Sequence, residues 1–239
     1  MPSVTFRPRA FVRVSGPDAE DFLQRMVSND ITAAERCDAL LLTPKARIIA
    51  PLRVLRRAPD DFLLLTEPEL GDTVRAQLLR ARFAAKVEIE PEEHDSWLVL
   101  GDGEVLDERP AGDDATEEDV ERWRIESGVP RWGYELDDPI LPAEAGLEET
   151  HISFSKGCYP GQEPIARQHF RGKVNRRLRV LDVEGEAQAG DELQLGEKKV
   201  GRITSTADGV ALGYVRTEVP DDASLELASG AGHAKMRPA

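Results

Sequence analysis

Apolar residues recur along the first third of this chain at two different periods, and each change of period marks a new element. Ala19, Phe22, Leu23 and Met26 repeat at three- and four-residue steps, the spacing that places side chains on one face of a helix. Ser15, Gly16, Pro17 and Asp18 precede them, offering a hydroxyl cap, a proline for the first turn and an acid near the positive end of the helix dipole. Residues 40–43 and 48–54 are apolar runs on either side of Pro44-Lys45-Ala46-Arg47, which predicts two strands joined by a turn. Residues 62–65 predict another strand, and Leu70, Val74, Leu78 and Leu79 the inward stripe of a second helix. Val87 with Ile89, then residues 97–100, read as further strands. From Gly101 to Ala115 the chain is acidic, carries Gly and Pro and has no sustained period, so an exposed connection is expected. Thr116 with Asp119 has the form of a capping box, and Val120, Trp123 and Ile125 continue a helix that Gly128 and Pro130 stop. Beyond Val174 the texture changes to short strands separated by glycines, at 178–183, 193–195, 200–203, 210–215 and 225–227, which predicts a small β-barrel. The end, Gly230 to Ala239, is expected to be loose.

Composition narrows the picture. At 239 residues, 40% hydrophobic and 32% charged, the chain can bury one large core or two to three small ones. The longest apolar runs are far too short to cross a bilayer, and the first residues lack the continuous apolar stretch of a secretory signal. Cys37 and Cys158 are far apart in sequence, forming neither a C-x-x-C pair nor a metal knuckle, and with four histidines they make no recognisable zinc site. A reducing cytoplasm and no metal are expected. The formal net charge of −14 opposes long-range attraction to nucleic acid or an anionic membrane, which disfavours direct binding to either.

One window departs from that charge. Between Lys156 and Arg179 there are seven Lys or Arg and a single acid, Glu163, so the window carries +6 while the rest of the chain carries −20. Cys158 lies in it. Fixed positive charge favours the thiolate, the form that attacks electrophiles and binds metals. A free cysteine is often only a small buried hydrophobe, but Gly157, Pro160 and Gly161 mark a turn, and turns sit at the surface. Arg167, Arg171, Lys173, Arg176 and Arg177, with His169, form a run that could hold carboxylates, lie solvated, or pair with the chain's own acids. Contact with RNA phosphates would call for more stacking aromatics than Phe170 alone.

The run Lys156-Gly157-Cys158-Tyr159-Pro160-Gly161-Gln162-Glu163 resembles the K-G-C-Y-x-G-Q-E signature of the YgfZ folate-binding family, relatives of the glycine-cleavage aminomethyltransferase, or T-protein. The resemblance extends to Ser15-Gly16-Pro17-Asp18-Ala19 with Phe22-Leu23-Gln24, to residues 124–130 (RIESGVP), 133–136, 141–146, 201–205 and 211–216, and so covers nearly the whole chain. It implies an α+β fold in which a ring of α/β subdomains surrounds a central folate channel and a C-terminal β-barrel closes the ring. The implied organisation is a folate-binding region at 1–167, with a discontinuous subdomain at 1–55 and 115–167 and an insert at about 56–114, then a barrel at 168–239.

The resemblance also implies roles. Cys158 matches the family's reactive cysteine. Glu126 matches the glutamate that recognises the pterin, and a carboxylate can take two parallel hydrogen bonds from such an amino-pyrimidine edge. Lys156, Tyr159, Gln162, Glu163, Arg167 and Arg171 are expected at the binding site of tetrahydrofolate or a one-carbon derivative, although Glu163 could equally cap a helix around Ile165 and Tyr159 could pack inward. Glu135 is a second acid in a matching motif. His151 has no partner at metal-ligand spacing and receives no role. One departure stands out: where T-proteins carry a glycine pair and then an acidic pair, this chain has Lys45-Ala46-Arg47-Ile48-Ile49-Ala50-Pro51. Neither Ala50 nor Pro51 offers a proton or a lone pair in its side chain, unless an offset brings Asp60 or Asp61 into the role.

The expected function is a tetrahydrofolate-binding protein that supports iron–sulfur cluster assembly or repair and, indirectly, tRNA modification. Its expected partners are folate and iron–sulfur enzymes or assembly proteins, with no membrane. The rivals are a folate-dependent aminomethyltransferase or one-carbon transferase, and a non-catalytic adaptor docking through its basic face.

Overall fold

The computed structural model describes residues 1–32, 34–137, 140–230 and 232–238. The first half of the chain contains strands β1 (Ser3–Phe6) and β2 (Ala10–Ser15), helix α1 (Ala19–Met26), strands β3 (Arg36–Leu42), β4 (Ile48–Ala58) and β5 (Asp61–Thr66), helix α2 (Gly71–Ala81), and strands β6 (Glu88–Glu92), β7 (Ser96–Val99), β8 (Gly103–Leu106) and β9 (Asp113–Asp114). Five of these strands form one sheet in the order β3-β4-β5-β2-β6, every pairing antiparallel. Its alternating positions divide cleanly between faces, as a period of two dictates. Val12, Val14, Leu52, Val54, Phe62 and Leu64 meet Phe22 and Leu23 of α1 and Val74 and Leu78 of α2 in the main core. The opposite face turns Leu40, Leu42 and Ile48 toward the later part of the chain.

A second sheet has the order β8-β7-β1-β9, in which β1 pairs antiparallel with β7 and parallel with β9. The stretch expected to be an exposed connection therefore supplies two strands. They escaped the pattern because they are only four and two residues long: β8 closes a short antiparallel hairpin on β7, and β9, two aspartates, is a strand only because it pairs with Ser3 and Val4 at the start of the chain. One of those acids, Glu104, is 1% exposed at its side chain.

Helix α3 (Glu117–Glu126) opens with the expected capping box: Asp119 N donates to Thr116 Oγ1 at 3.1 Å and Thr116 N donates to Asp119 Oδ2 at 2.9 Å. At α1 the start differs from expectation. Ser15 ends β2 and Asp18 holds the cap position, but its carboxylate accepts the main-chain N–H of Lys86 at 2.7 Å instead of capping α1. The hydroxyl is unavailable because Gly16 adopts a φ of +122° and turns the chain beneath Lys86.

Two further helices, α4 (Glu148–His151) and α5 (Gln162–Arg171), precede strands β10 (Arg176–Gly185), β11 (Glu192–Leu195), β12 (Lys198–Ala207), β13 (Val210–Arg216), β14 (Ser224–Leu227) and β15 (Gly232–Met236). These six strands close into a barrel in the order β10-β13-β12-β11-β14-β15. Leu181, Leu193, Ile203, Val215, Leu225 and Ala234 fill its interior. The tail expected to be loose is ordered from Gly232 to Met236, because β15 pairs with both β10 and β14 and removes the two edges the barrel would otherwise expose; Ala231 and Ala239 lie outside the described residues. No helix among the described residues is long and apolar enough to cross a membrane.

Candidate functional site

The cysteine segment is clamped on both sides of the thiol. Before it, the Lys156 ammonium donates to Val27 O at 2.8 Å and Asn29 O at 2.6 Å, tying the loop to the C-terminal end of α1. Burial lowers the Lys156 pKa to about 8, with Asp30 and Cys37 pulling the other way. After it, Tyr159 is 7% exposed and packs among Leu40, Leu42, Ala46 and Ile165, its hydroxyl without a hydrogen-bond partner. Burial, helped by Glu148, pushes that phenol up to about 12. Gly161 then turns the chain at a φ of +86° so close to the β3–β4 turn that a Cβ there would sit 2.7 Å from Thr43 O. Only glycine fits both demands. Between these inward anchors, Cys158 is displayed to solvent. The left-handed turn at Gly161 starts α5, whose first residues are Gln162 and Glu163.

Cys37 has the opposite setting. It lies in β3, half-buried, and burial together with Asp38 pushes its thiol up to about 11. A thiol raised from 9.0 to about 11 holds roughly a hundredfold less thiolate at neutral pH. Alkylation of the Cys37→Ser and Cys158→Ser variants at pH 7.5 is therefore expected to find Cys158 reacting on the order of a hundred times faster than Cys37; comparable rates, or Cys37 first, would remove Cys158 as the reactive thiol.

A cavity of about 450 Å3 opens elsewhere, between the sheet face carrying β4, the end of α3, α4 with the chain before it, and β10 and β13 of the barrel. Leu52, Leu65, Leu136, Leu147 and Leu178 give it apolar walls. Arg7, Arg9, Arg53 and Arg179 bring cations to it, and Asp38 and Glu67 bring acids. Most of these charges are held in one network anchored on Glu104. Arg9 grips Glu104 through Nε at 2.7 Å and Nη2 at 3.0 Å, and Arg53 Nη1 reaches its second oxygen at 2.5 Å. Burial alone would raise the Glu104 pKa, but the Arg9 hydrogen bonds and the charges of Arg9, Arg7 and Arg53 outweigh it and hold the carboxyl down to about 2. Arg53 also grips Asp38, Nε to Oδ1 at 2.8 Å and Nη2 to Oδ2 at 3.2 Å, while Arg9 binds Glu67 at 2.8 Å. Pro51 lines the cavity and Ala50 is fully buried.

A smaller recess of about 310 Å3 adjoins it, sharing Gly146, Leu178, Arg179 and Val180. Glu126, Arg177 and Arg179 border this recess. Glu126 is 37% exposed at its side chain and pairs with Arg122 at 3.1 Å, one helical turn before it. The fold thus brings Glu126 to the mouth of the cavity system. Cys158, Lys156, Tyr159, Gln162, Glu163, Arg167 and Arg171 do not line either cavity. The basic run divides in the same way. Arg176 is spent on Glu144 at 3.0 Å and Arg179 on Asp221 at 2.8 Å, whereas Arg167, Arg171, Lys173 and Arg177 have no ion-pair partner among the described residues. Phe154 stacks on His169 of α5 with ring centroids 4.0 Å apart and lies 6.1 Å from Phe170, leaving an aromatic cluster exposed beside the free cations.

His151, which received no role from its spacing, borders this cavity at the end of α4. No local signal could have placed it there, since its neighbours Asp38 and Arg53 are about a hundred positions away in sequence. Glu135 is a different case, serving the scaffold: its carboxylate is 0% exposed, accepting from Arg124 Nη1 at 2.9 Å, Arg131 N at 3.0 Å and Ser205 Oγ at 2.6 Å.

Comparison with known proteins agrees with this architecture. Residues 175–239 match the family described as CAF17, C-terminal beta-barrel domain. The chain is 27% identical over 263 residues to the mitochondrial iron–sulfur cluster assembly factor IBA57 of Mus musculus, spanning 87% of this chain and 72% of that protein. It is 26% identical over 252 residues to the tRNA-modifying protein YgfZ of Enterobacter sp. (strain 638), spanning 82% of this chain and 77% of that protein. The crystal structure of glycine cleavage system aminomethyltransferase T from Bartonella henselae superposes over 100% of this chain and 85% of that one with a TM-score of 0.83 at 17% identity, a likeness of fold.

Proposed function

Because the chain belongs to the YgfZ/IBA57/CAF17 family, related to the glycine-cleavage T-protein, we propose that it binds a reduced folate in the central cavity and supports iron–sulfur cluster assembly or repair in the cytoplasm, with tRNA modification depending on it indirectly. The observation that carries the reading is the cavity itself, within the ~300–1,000 Å3 usual for small-molecule sites, walled by leucines and rimmed by guanidinium groups. Those groups suit a folate. A flat pterin can lie between apolar side chains, and a tail carboxylate can meet Arg177, which borders the recess and has no ion-pair partner among the described residues. Glu126, at the same recess, would turn from Arg122 to the amino-pyrimidine edge. A bound reduced folate would supply a carrier of one-carbon units.

The thiol has a separate place in this proposal. Cys158 stands on the outer loop, where it can ligate an incoming cluster transiently, as thiolates do. Lys156, Tyr159, Gln162 and Glu163 act in the same reading by shaping that loop and the start of α5. Arg167 and Arg171 would serve a partner protein. The adaptor reading has an observation of its own, namely that the unpaired cations Arg167, Arg171 and Lys173 lie on and just after α5, away from both cavities.

Calorimetry with tetrahydrofolate tests the main reading. The wild type is expected to bind, and Glu126→Gln to bind on the order of tenfold more weakly, because one acceptor of a charged pair becomes a mismatched donor. Absence of binding by the wild type would overturn the folate assignment and favour the adaptor. Equal affinities would remove Glu126 from the site.

A further inference from the structure

We propose that His151 is a ligand-contacting group of the central cavity and its proton acceptor, its Nε2 hydrogen-bonding a polar hydrogen of the bound molecule. The inference rests on the reading that this cavity takes a reduced folate, and it assigns to that site a residue that neither the motif nor the fold comparison singles out.

The argument begins with what the other lining side chains can no longer do. Arg7, Arg9, Arg53 and Arg179 are donors only. Of the two lining carboxylates, Asp38 is held by Arg53 through both oxygens, and Glu67 takes Arg9 at 2.8 Å and Arg7 at 3.5 Å on Oε1 alone, which leaves its Oε2 as an acceptor that stays ionised near neutral pH. Pro51 stands where the transferase relatives are expected to carry an acid, and it has no polar side-chain atom. With Glu67 Oε2, the remaining lining acceptors are the hydroxyls of Ser127 and Thr150 and the imidazole of His151, and of these only the imidazole changes protonation near neutral pH.

The ring is also positioned. Ser28 Oγ, 0% exposed, donates to His151 O at 2.6 Å and accepts Leu40 N at 2.8 Å, while Asn29 Nδ2 donates to Thr150 O at 3.0 Å and to Asp38 O at 2.8 Å. These bonds fasten α4 to β3 and to the end of α1. The His151 Nδ1 is engaged by Thr150 Oγ1 at 2.7 Å, and its Nε2 has no partner among the described residues. When Nδ1 carries the proton and donates it to Thr150, Nε2 presents a lone pair.

Burial keeps the ring neutral. Burial lowers its pKa first, Arg53 adds to that, and Asp38 opposes it. The other charges lining the cavity offset one another, Arg7 and Arg9 against Glu67 and Glu104, and Arg179 against Asp221. Glu148 on α4 lies nearer His169, at 3.8 Å. The folded pKa is thus below the ordinary 6.5, so the accepting form dominates at neutral pH and is lost as the pH falls through that lowered value.

The test is calorimetry with tetrahydrofolate between pH 5.0 and 8.0 on the wild type and His151→Gln, with proton NMR of the histidine rings. The wild-type affinity is expected to fall about tenfold more than that of His151→Gln as the pH drops, and the variant to bind about tenfold more weakly at pH 7.5, the worth of one hydrogen bond. Saturating the wild type with tetrahydrofolate is expected to shift the titration of the ring resonance that is missing in His151→Gln, a readout that does not depend on how well the variant folds. Parallel pH profiles with an unmoved ring titration would overturn the role of His151 and leave the folate reading intact. No binding by the wild type would overturn both.

Discussion

Glu135→Ala is expected to cost about 3–5 kcal/mol of folding stability, the usual result of leaving one member of a buried ion pair alone. The carboxylate is fully buried and holds three donors from three parts of the chain: Arg124 in α3, the main chain of Arg131, and Ser205 in β12 of the barrel. Its own carbonyl accepts the Tyr214 hydroxyl at 2.9 Å, adding β13 to the junction. Removing the side chain strips the 7% exposed Arg124 of a partner and leaves a buried hydroxyl and a main-chain N–H unsatisfied, even though Glu121 still pairs with Arg124 at 2.7 Å. Against a total stability of about 5–15 kcal/mol this is a large share, and it corresponds to a fall in Tm of roughly 6–20 °C for a chain of this size. Chemical denaturation measures it. A variant within about 1 kcal/mol of the wild type would contradict the assignment of Glu135 as the junction's anchor. Adding Arg124→Met to Glu135→Ala is expected to recover part of the loss, since the unpaired charge is then gone.

The second large expectation is that this protein does not sustain aminomethyl transfer with glycine-cleavage partners, despite its T-protein fold. A missing positioned acid or base typically costs ~100- to ~10,000-fold in rate. Pro51, which the resemblance to T-proteins implies stands in place of one of their acids, lines the cavity, and the neighbouring Ala50 is buried. An offset alignment does not rescue the role. Asp61 is tied to Arg13 at 3.0 Å and Arg57 at 3.0 Å, away from the cavity, and neither it nor Asp60 lines the site. Release of ammonia and methylenetetrahydrofolate from aminomethylated carrier protein is the assay, with activity near background expected. Turnover at the rate of a true T-protein would promote the transferase reading above the iron–sulfur one.

Local rules were enough for the elements whose stability is local or strongly patterned. The stripe of Phe22 and Leu23, the Thr116 capping box and the glycine-punctuated barrel strands all stand where periodicity and turn chemistry put them. The KGCYPGQE run was legible for the same reason. Its turn needs glycine at a left-handed position against Thr43, and an exposed cysteine follows from anchors on either side. Strands β8, β9 and β15 were not legible, because they are short and charged or glycine-bearing: β8 is a strand through its hairpin with β7, β9 through β1 at the start of the chain, and β15 by closing the barrel between β14 and β10. Buried ions were hidden too. Glu104 and Glu135 look like any acids in a chain holding 45 acidic residues, until the fold brings the guanidinium groups of Arg9 and Arg53 to Glu104, and Arg124 and the barrel's Ser205 to Glu135. The cavity is the furthest from the sequence, since it exists only where β4, α3, α4 and the barrel leave space between them. Its geometry separates Glu126 from Cys158 and brings His151 beside Asp38 and Arg53, and no spacing along the chain encodes which side chains face the same void.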